Sequence, residues 1–342
     1  MTFHENQKQG IKFPIGELDI LEQSLLLYDK QLLLSLLKDK STKRNIKWGT
    51  SDYQHFGDSF APDRELTIEL VTGNNCHMVQ PRASKPQSDR VKRTREKAEV
   101  FTPSWICNKQ NNLVDEAWFG RSNVFNVETE NGWTPTKRKI VFPNIKGKTW
   151  QDYVECARLE ITCGEAPFLV SRYDSVTGHI FPIKQRIGLL DRKLRVVGEN
   201  VKTESEWFKW AEIAFQNSYG FDYQGDNILL ARENLLYTFA EYYIDKFEKD
   251  PNQKQLRRIA NIISWNIWQM DGLTLECPYS FNDEPEQMTF DMIINMDNLD
   301  SDCVNVNEKG IPCRIMDWKA KKSIEFKSLI KENLHGYEQN IF

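Results

Sequence analysis

The sequence predicts an α/β protein built on a parallel sheet, with a helix and a small sheet ahead of it. Beyond residue 150, short apolar runs alternate with long helical stretches. Each run closes on a polar residue or a glycine, as strand ends facing one crevice would. No internal repeat or low-complexity tract is visible, which sets solenoid folds aside.

In chain order, Leu18, Leu21, Leu25, Tyr28, Leu32 and Leu36 recur at three-to-four spacing and predict an amphipathic helix. Glu22, Asp29 and Lys30 interrupt that stretch, so a core or interface helix is expected and not a membrane anchor. Leu66, Ile68 and Leu70 alternate before Thr72-Gly73-Asn74-Asn75, a short strand and a turn. Pro81 to Lys97 holds seven basic and two acidic residues and reads as an exposed link into a second unit. The expected division is therefore an N-terminal helical and small-sheet region, 1–90, and a core, 91–342, with an insertion at about 170–212.

Within the core, Ala157 to Val170 reads as a strand turning into a helix around one glycine, and Tyr219 to Asp222 as the end of a second strand. Glu233 to Phe247 reads as helix; Ala260 to Trp268 and Phe290 to Asn295 read as buried strands. Arg314 to Trp318 and Ser323 to Ile330, joined by Lys-Ala-Lys-Lys, predict a terminal hairpin.

Composition narrows the function. The 342 residues carry 45 Lys+Arg against 49 Asp+Glu, a net charge of -4, with 40% apolar residues. That balance belongs to a folded globular chain, so any contact with DNA must use a local basic patch. The amino end lacks an apolar signal core, and the seven cysteines form no C-x-x-C pair, so a reducing cytoplasm is expected. The five histidines have no ligand spacing, and no metal site is expected. The tryptophans are expected mostly in the core.

The chemistry concentrates at the strand ends. A small residue such as Gly164 after a strand lets a ligand's polar groups approach backbone N–H groups; an ordinary turn is the plainer alternative. Asp222 stands where a second strand would grip a ribose. Asp271 and Asn295 follow a third and a fourth strand end.

With these residues in place, the chain resembles the amino-directed DNA methyltransferases of restriction–modification systems that act on adenine, over roughly residues 90 to 300. Thr102-Pro103 looks like the pair that closes over the methionine end of S-adenosylmethionine, with Ala98 in place of a glycine upstream. Glu160, Cys163 and Gly164 match the cofactor loop, Asp222 the ribose acid and Asp271 the residue near the adenine ring. Ala166 and Met270 stand where the family has glycines. The resemblance implies a Rossmann-like class I S-adenosylmethionine-dependent methyltransferase core behind the N-terminal helix and small sheet.

The family's catalytic loop, Asn-Pro-Pro-Tyr or Asp-Pro-Pro-Tyr, has only Asn295-Met296-Asp297-Asn298 as its counterpart. Asn295 keeps one acceptor for the adenine amine, but the proline pair and the stacking ring are gone. Cys277-Pro278-Tyr279-Ser280 reads as a surface turn. The stretch after Asn298 is too short for the rest of the catalytic half and a recognition domain, so a partner chain is an implied supplier.

The expectation is thus a modification subunit that binds S-adenosylmethionine, with a degenerate catalytic loop; a non-catalytic subunit that binds DNA or a protein is the alternative. Arg90, Lys92, Arg93 and Arg95 are the candidate DNA-backbone contacts, against the plainer reading of a solvated linker. In the insertion, Arg186, Arg192, Lys193 and Arg195 suit a phosphate or a partner carboxylate, with surface ion pairing the plainer alternative.

Overall fold

A computed structural model describes residues 17–97, 102–281 and 310–330. Helix α1, Glu22–Leu37, buries Leu25, Leu32 and Leu36 of the predicted stripe together with Leu33 and Leu37, while Leu18 and Leu21 precede it. Asp29 breaks the helical dihedrals within it (φ -161°, ψ 103°), and its carboxylate accepts from Gln31 N and from the Arg257 guanidinium.

The predicted strand at 66–70 is instead a single helical turn, α2, Ile68–Val71. Three alternating apolar residues are a weak signal, and burying Leu66 and packing Ile68 and Leu70 partly buried against the core satisfy them without a partner strand. Among the described N-terminal residues, sheet pairing is confined to the isolated bridges Lys38↔Asn45 and Lys47↔Glu65.

The basic stretch, expected as an exposed link, is largely exposed but helical: Gln87–Lys97 forms helix α3, which starts after Pro86 and contains no glycine or proline. Helix α4, Ser104–Phe119, leads to an antiparallel hairpin of β1, Asn126–Thr129, and β2, Gly132–Pro135, and then to α5, Trp150–Glu155, which starts on a Thr149/Asp152 capping box.

The central sheet follows. Strands β3, Arg158–Ile161, and β4, Ser218–Asp222, are linked through α6, Leu189–Asn200, and α7, Glu204–Gln216. Helix α8, Gly225–Phe247, and α9, Gln253–Asn266, lead to β5, Ile267–Gln269. The three strands pair in parallel in the order β3-β4-β5, with Glu160 opposite Gly220 and Phe221 opposite Trp268. The protein is therefore a mixed α/β chain with a parallel sheet.

Two expectations fail here. Ala260 to Trp268 is mostly α9, with only its last two residues in β5; a continuous apolar run does not distinguish a buried helix from a strand. The Asn252/Gln255 capping box starts that helix, and Leu256, Ile259, Ala260 and Ile263 bury one face. After β3 the chain makes tight turns where a helix was expected, because Thr162, Gly164 and Ala166 all take positive φ (47°, 53°, 62°).

The strand period of two splits the core. Ile267 belongs to the main cluster that runs from Ile20 through α8 and α9, whereas Phe221, Trp268 and Met270 pack with Cys277, Cys313 and Ile315. That second layer is built by β6, Glu276–Phe281, with β7, Gly310–Pro312, and by the predicted terminal hairpin, β8, Arg314–Asp317, with β9, Lys322–Glu325. Cys277-Pro278-Tyr279-Ser280 thus lies within β6 and not in a surface turn. Each fully buried large apolar side chain contributes roughly 1.5–3 kcal/mol, so the all-round burial of α8 makes it the central pillar. Gly225 at its start lies so close to the N-terminal segment that a Cβ there would sit 1.9 Å from Lys47 O. No helix among the described residues is long and apolar enough to cross a membrane.

Candidate functional site

The turn leaving β3 is held by two acids from below. Glu160 Oε1 accepts from Phe168 N (3.2 Å) and Oε2 from Leu169 N (3.0 Å), so its carboxyl braces the far side of the turn. Burial pushes that carboxyl up to about 8, against the pull of the two N–H donors and with help from Asp222. Asp222, at the end of β4, accepts from Gly164 N at 2.9 Å and from Gln224 N at 3.0 Å. Its carboxyl is also raised by burial, which those donors partly offset. Cys163 lies buried between them, its thiol pushed up by burial and then by Asp222 and Glu160.

Glu165 ties the same turn to other elements. Its carboxylate accepts from Arg82 N (2.5 Å) and Tyr173 Oη (2.7 Å), while Asn234 Nδ2 donates to its carbonyl (3.0 Å). Thr102 and Pro103 sit beside this assembly at the start of α4. Thr102 O accepts from Ser175 Oγ, and Ser104 N donates to Asp174 Oδ2 at 2.8 Å. Cys107, one turn further on, is buried, and its thiol is pushed up by burial and then by Glu160 and Asp174. The structure thereby brings Glu160, Cys163, Gly164 and Asp222 together at the carboxyl ends of β3 and β4, while Thr102 and Pro103 lie at the start of α4 and are tied to Ser175 and Cys107.

A second network, invisible to the motif reading, lies four residues beyond Asp222. Asp226 Oδ2 meets Arg93 Nη1 at 2.7 Å, Tyr53 Oη at 2.8 Å and Lys85 Nζ at 3.4 Å, and Arg93 Nη2 donates to Gln224 Oε1 at 2.7 Å. Burial alone would raise Asp226; Arg93 and Lys85 outweigh it and hold the carboxyl well below the usual range. Arg93 is 4% exposed and pins α3 to the start of α8, which removes it from the candidate DNA contacts. Lys92 and Arg95 are exposed and Arg90 is half-buried.

At β5 the reaching group is Gln269. Its side chain accepts from Lys47 N (2.8 Å) and donates to Lys47 O (2.9 Å) and Tyr223 O (2.8 Å), so the segment from Lys47 closes over the ends of β4 and β5. Asp271 instead accepts from Leu273 N and Thr274 N in its own turn. Asn295 lies outside the described residues.

The insertion's cations are mostly inside. Arg186 pairs with Glu241, Arg192 with Asp115, and Lys193 Nζ donates to Cys156 O (2.6 Å) and Asn217 O (2.8 Å) below the sheet. Only Arg195, paired with Glu199, keeps partial exposure. Their sequence pattern of spaced charges gave no sign of this, since only tertiary packing buries them. Among the described residues no group of three or more potential ligands could hold a metal ion.

No family model, no curated protein and no solved structure matches the chain.

Proposed function

We propose that the chain binds S-adenosylmethionine at the carboxyl ends of β3 and β4 and is a modification-subunit-like member of the adenine DNA methyltransferase type, serving a restriction–modification or phage-defence system. The observation that carries this reading is the bond between Asp222 and Gly164, which joins the residue matched to the ribose acid with the residue matched to the cofactor loop. In open parallel sheets, ligands bind outside the carboxyl ends of the strands, and this pair sits there.

The donor set fits a nucleoside cofactor. A carboxylate has about four acceptor sites. Asp222 uses sites on Gly164, Gln224 and Asn227, which leaves capacity for a ribose hydroxyl. Thr102 and Pro103 precede α4, with Thr102 O bonded to Ser175 Oγ, and Asp271 stands beyond β5. The cofactor supplies an electrophilic sulfonium methyl when bound. The chain's own part is to grip the ribose at Asp222, to shape the turn through Glu160 and to exclude water with the Cys163 and Cys107 layer; Asn295 is the proposed acceptor for the adenine amine.

The alternative is a non-catalytic subunit that keeps the fold to bind DNA or a protein. One observation favours it: Gln269 is wholly engaged with Lys47 and Tyr223, so the β4–β5 end is closed by the chain's own N-terminal segment. Calorimetry with S-adenosylmethionine and its demethylated product decides between an intact cofactor site and a relic. Binding of both ligands is expected; no heat with either ligand would overturn the reading.

A further inference from the structure

Helix α3 has two basic faces of different use. Arg93 points inward to Asp226, whereas Gln87, Arg90, Val91, Thr94 and Arg95, together with Arg82 from the turn before the helix, line an open concavity of about 570 Å³. Arg82, Arg90 and Arg95 all line it; Arg82 N is bonded to Glu165 of the β3 turn, and Arg90 Nη1 donates to Val176 O at 3.4 Å. The Arg82 guanidinium is oriented by Nη2 donating to Thr94 Oγ1 at 2.9 Å. Arg90 and Arg95 form no ion pair among the described residues, and Arg90 Nε is buried without a hydrogen-bond partner.

The unmet group is Arg90 Nε: an N–H taken from water without an acceptor costs about 1–3 kcal/mol. A phosphate supplies the acceptor, since planar guanidinium forks match its oxygens two at a time. We propose that the concavity framed by Arg82, Arg90 and Arg95 is a phosphate-binding site that takes the sugar-phosphate backbone of duplex DNA. It rests on the DNA reading above and sharpens it: Lys92 and Arg93 do not line this concavity, and Arg82 does.

The test is fluorescence anisotropy of the full chain with a labelled DNA duplex, across roughly 50 to 200 mM salt. Each lost phosphate contact makes the plot of log affinity against log salt shallower by about 0.9, so R82Q/R90Q/R95Q should flatten it by roughly 2 to 3. Lys92→Gln, on the same helix but off the concavity, should leave the slope nearly unchanged. The Arg82 backbone bond to Glu165 survives the substitution, and thermal melting checks that the triple variant is folded.

Equal flattening by Lys92→Gln, an unchanged slope in the triple variant, or no duplex binding at all would overturn the site. Arginine-dependent binding of inorganic phosphate or a nucleoside diphosphate without duplex binding would overturn the DNA assignment. Failure of the cofactor reading shows separately: calorimetry with S-adenosylmethionine is then silent while the salt slope still depends on the three arginines.

Discussion

The Asp222 carboxylate accepts the backbone N–H of Gly164 across 2.9 Å, so the end of β4 holds the turn that leaves β3. Gly164 takes a positive φ in that turn, and the same acid accepts from Gln224 N on the way into α8. One side chain therefore fixes both walls of the proposed cofactor crevice.

Replacing Asp222 should expose both roles. Asp222→Ala leaves the Gly164 and Gln224 N–H groups without their acceptor, which should cost about 1–3 kcal/mol for each in urea denaturation. It should also weaken S-adenosylmethionine roughly ten- to a hundredfold in calorimetry, the worth of a charge-assisted bond. Undiminished cofactor affinity in a folded Asp222→Ala protein would leave Asp222 a turn-holder only.

Arg93 should behave unlike its neighbours on α3. Removing one partner of a buried ion pair typically costs about 3–5 kcal/mol, so Arg93→Gln should destabilise on that scale, whereas Arg95→Gln should stay within about 0.5 kcal/mol. Asp226 is held below its ordinary range, so its contribution is present above the unfolded carboxyl value and is lost as pH falls through the folded one. In Arg93→Gln that acid-side loss should shift to higher pH. Acid titrations followed by fluorescence would show it, and matching profiles in variant and parent would refute the pairing.

The raised carboxyls act with the opposite sign. Glu160, lifted by burial to about 8, adds stability that is complete below the ordinary carboxyl range and is lost as pH rises toward 8. Glu22 on α1 and Glu233 on α8 are buried and raised in the same direction, first by desolvation; a backbone hydrogen bond partly offsets the rise at Glu22, to which Asp19 adds, and Glu22 and Asp19 add to the rise at Glu233. Substituting Glu22→Gln with Glu233→Gln should therefore raise the melting temperature more at pH 8 than at pH 5. An equal change at both pH values would count against the assignment.

Two glycines in helices should respond in opposite ways to alanine. Gly225→Ala drives a Cβ into Lys47 O and should cost about 3 kcal/mol or more, by separating α8 from the N-terminal segment. Gly198, inside α6, has Trp207 Nε1 no nearer than 4.0 Å to the added carbon, so Gly198→Ala should stabilise by about 0.4–1 kcal/mol. Chemical denaturation of the pair separates close backbone approach from helix propensity.

Local pattern by itself determined several features of this protein. The spacing of leucines gave α1, the Lys-Ala-Lys-Lys link between Arg314–Trp318 and Ser323–Ile330 gave the terminal hairpin, and the order of polar strand ends placed Glu160 and Asp222 on a parallel sheet. These signals are periodicities and turn residues that a few neighbouring positions carry. Tertiary structure alone decided the rest. Ala260 to Trp268 is equally apolar as helix or strand, and became α9 because that helix lies against α1, α7 and α8. Arg93 looks like its exposed neighbours until Asp226, 133 residues away, neutralises it. The Gln269 side chain became the clasp over Lys47 only through a contact spanning 222 residues. Burial and charge pairing are properties of the packed chain, and a carboxylate or guanidinium carries no local mark of the partner that folding will bring to it.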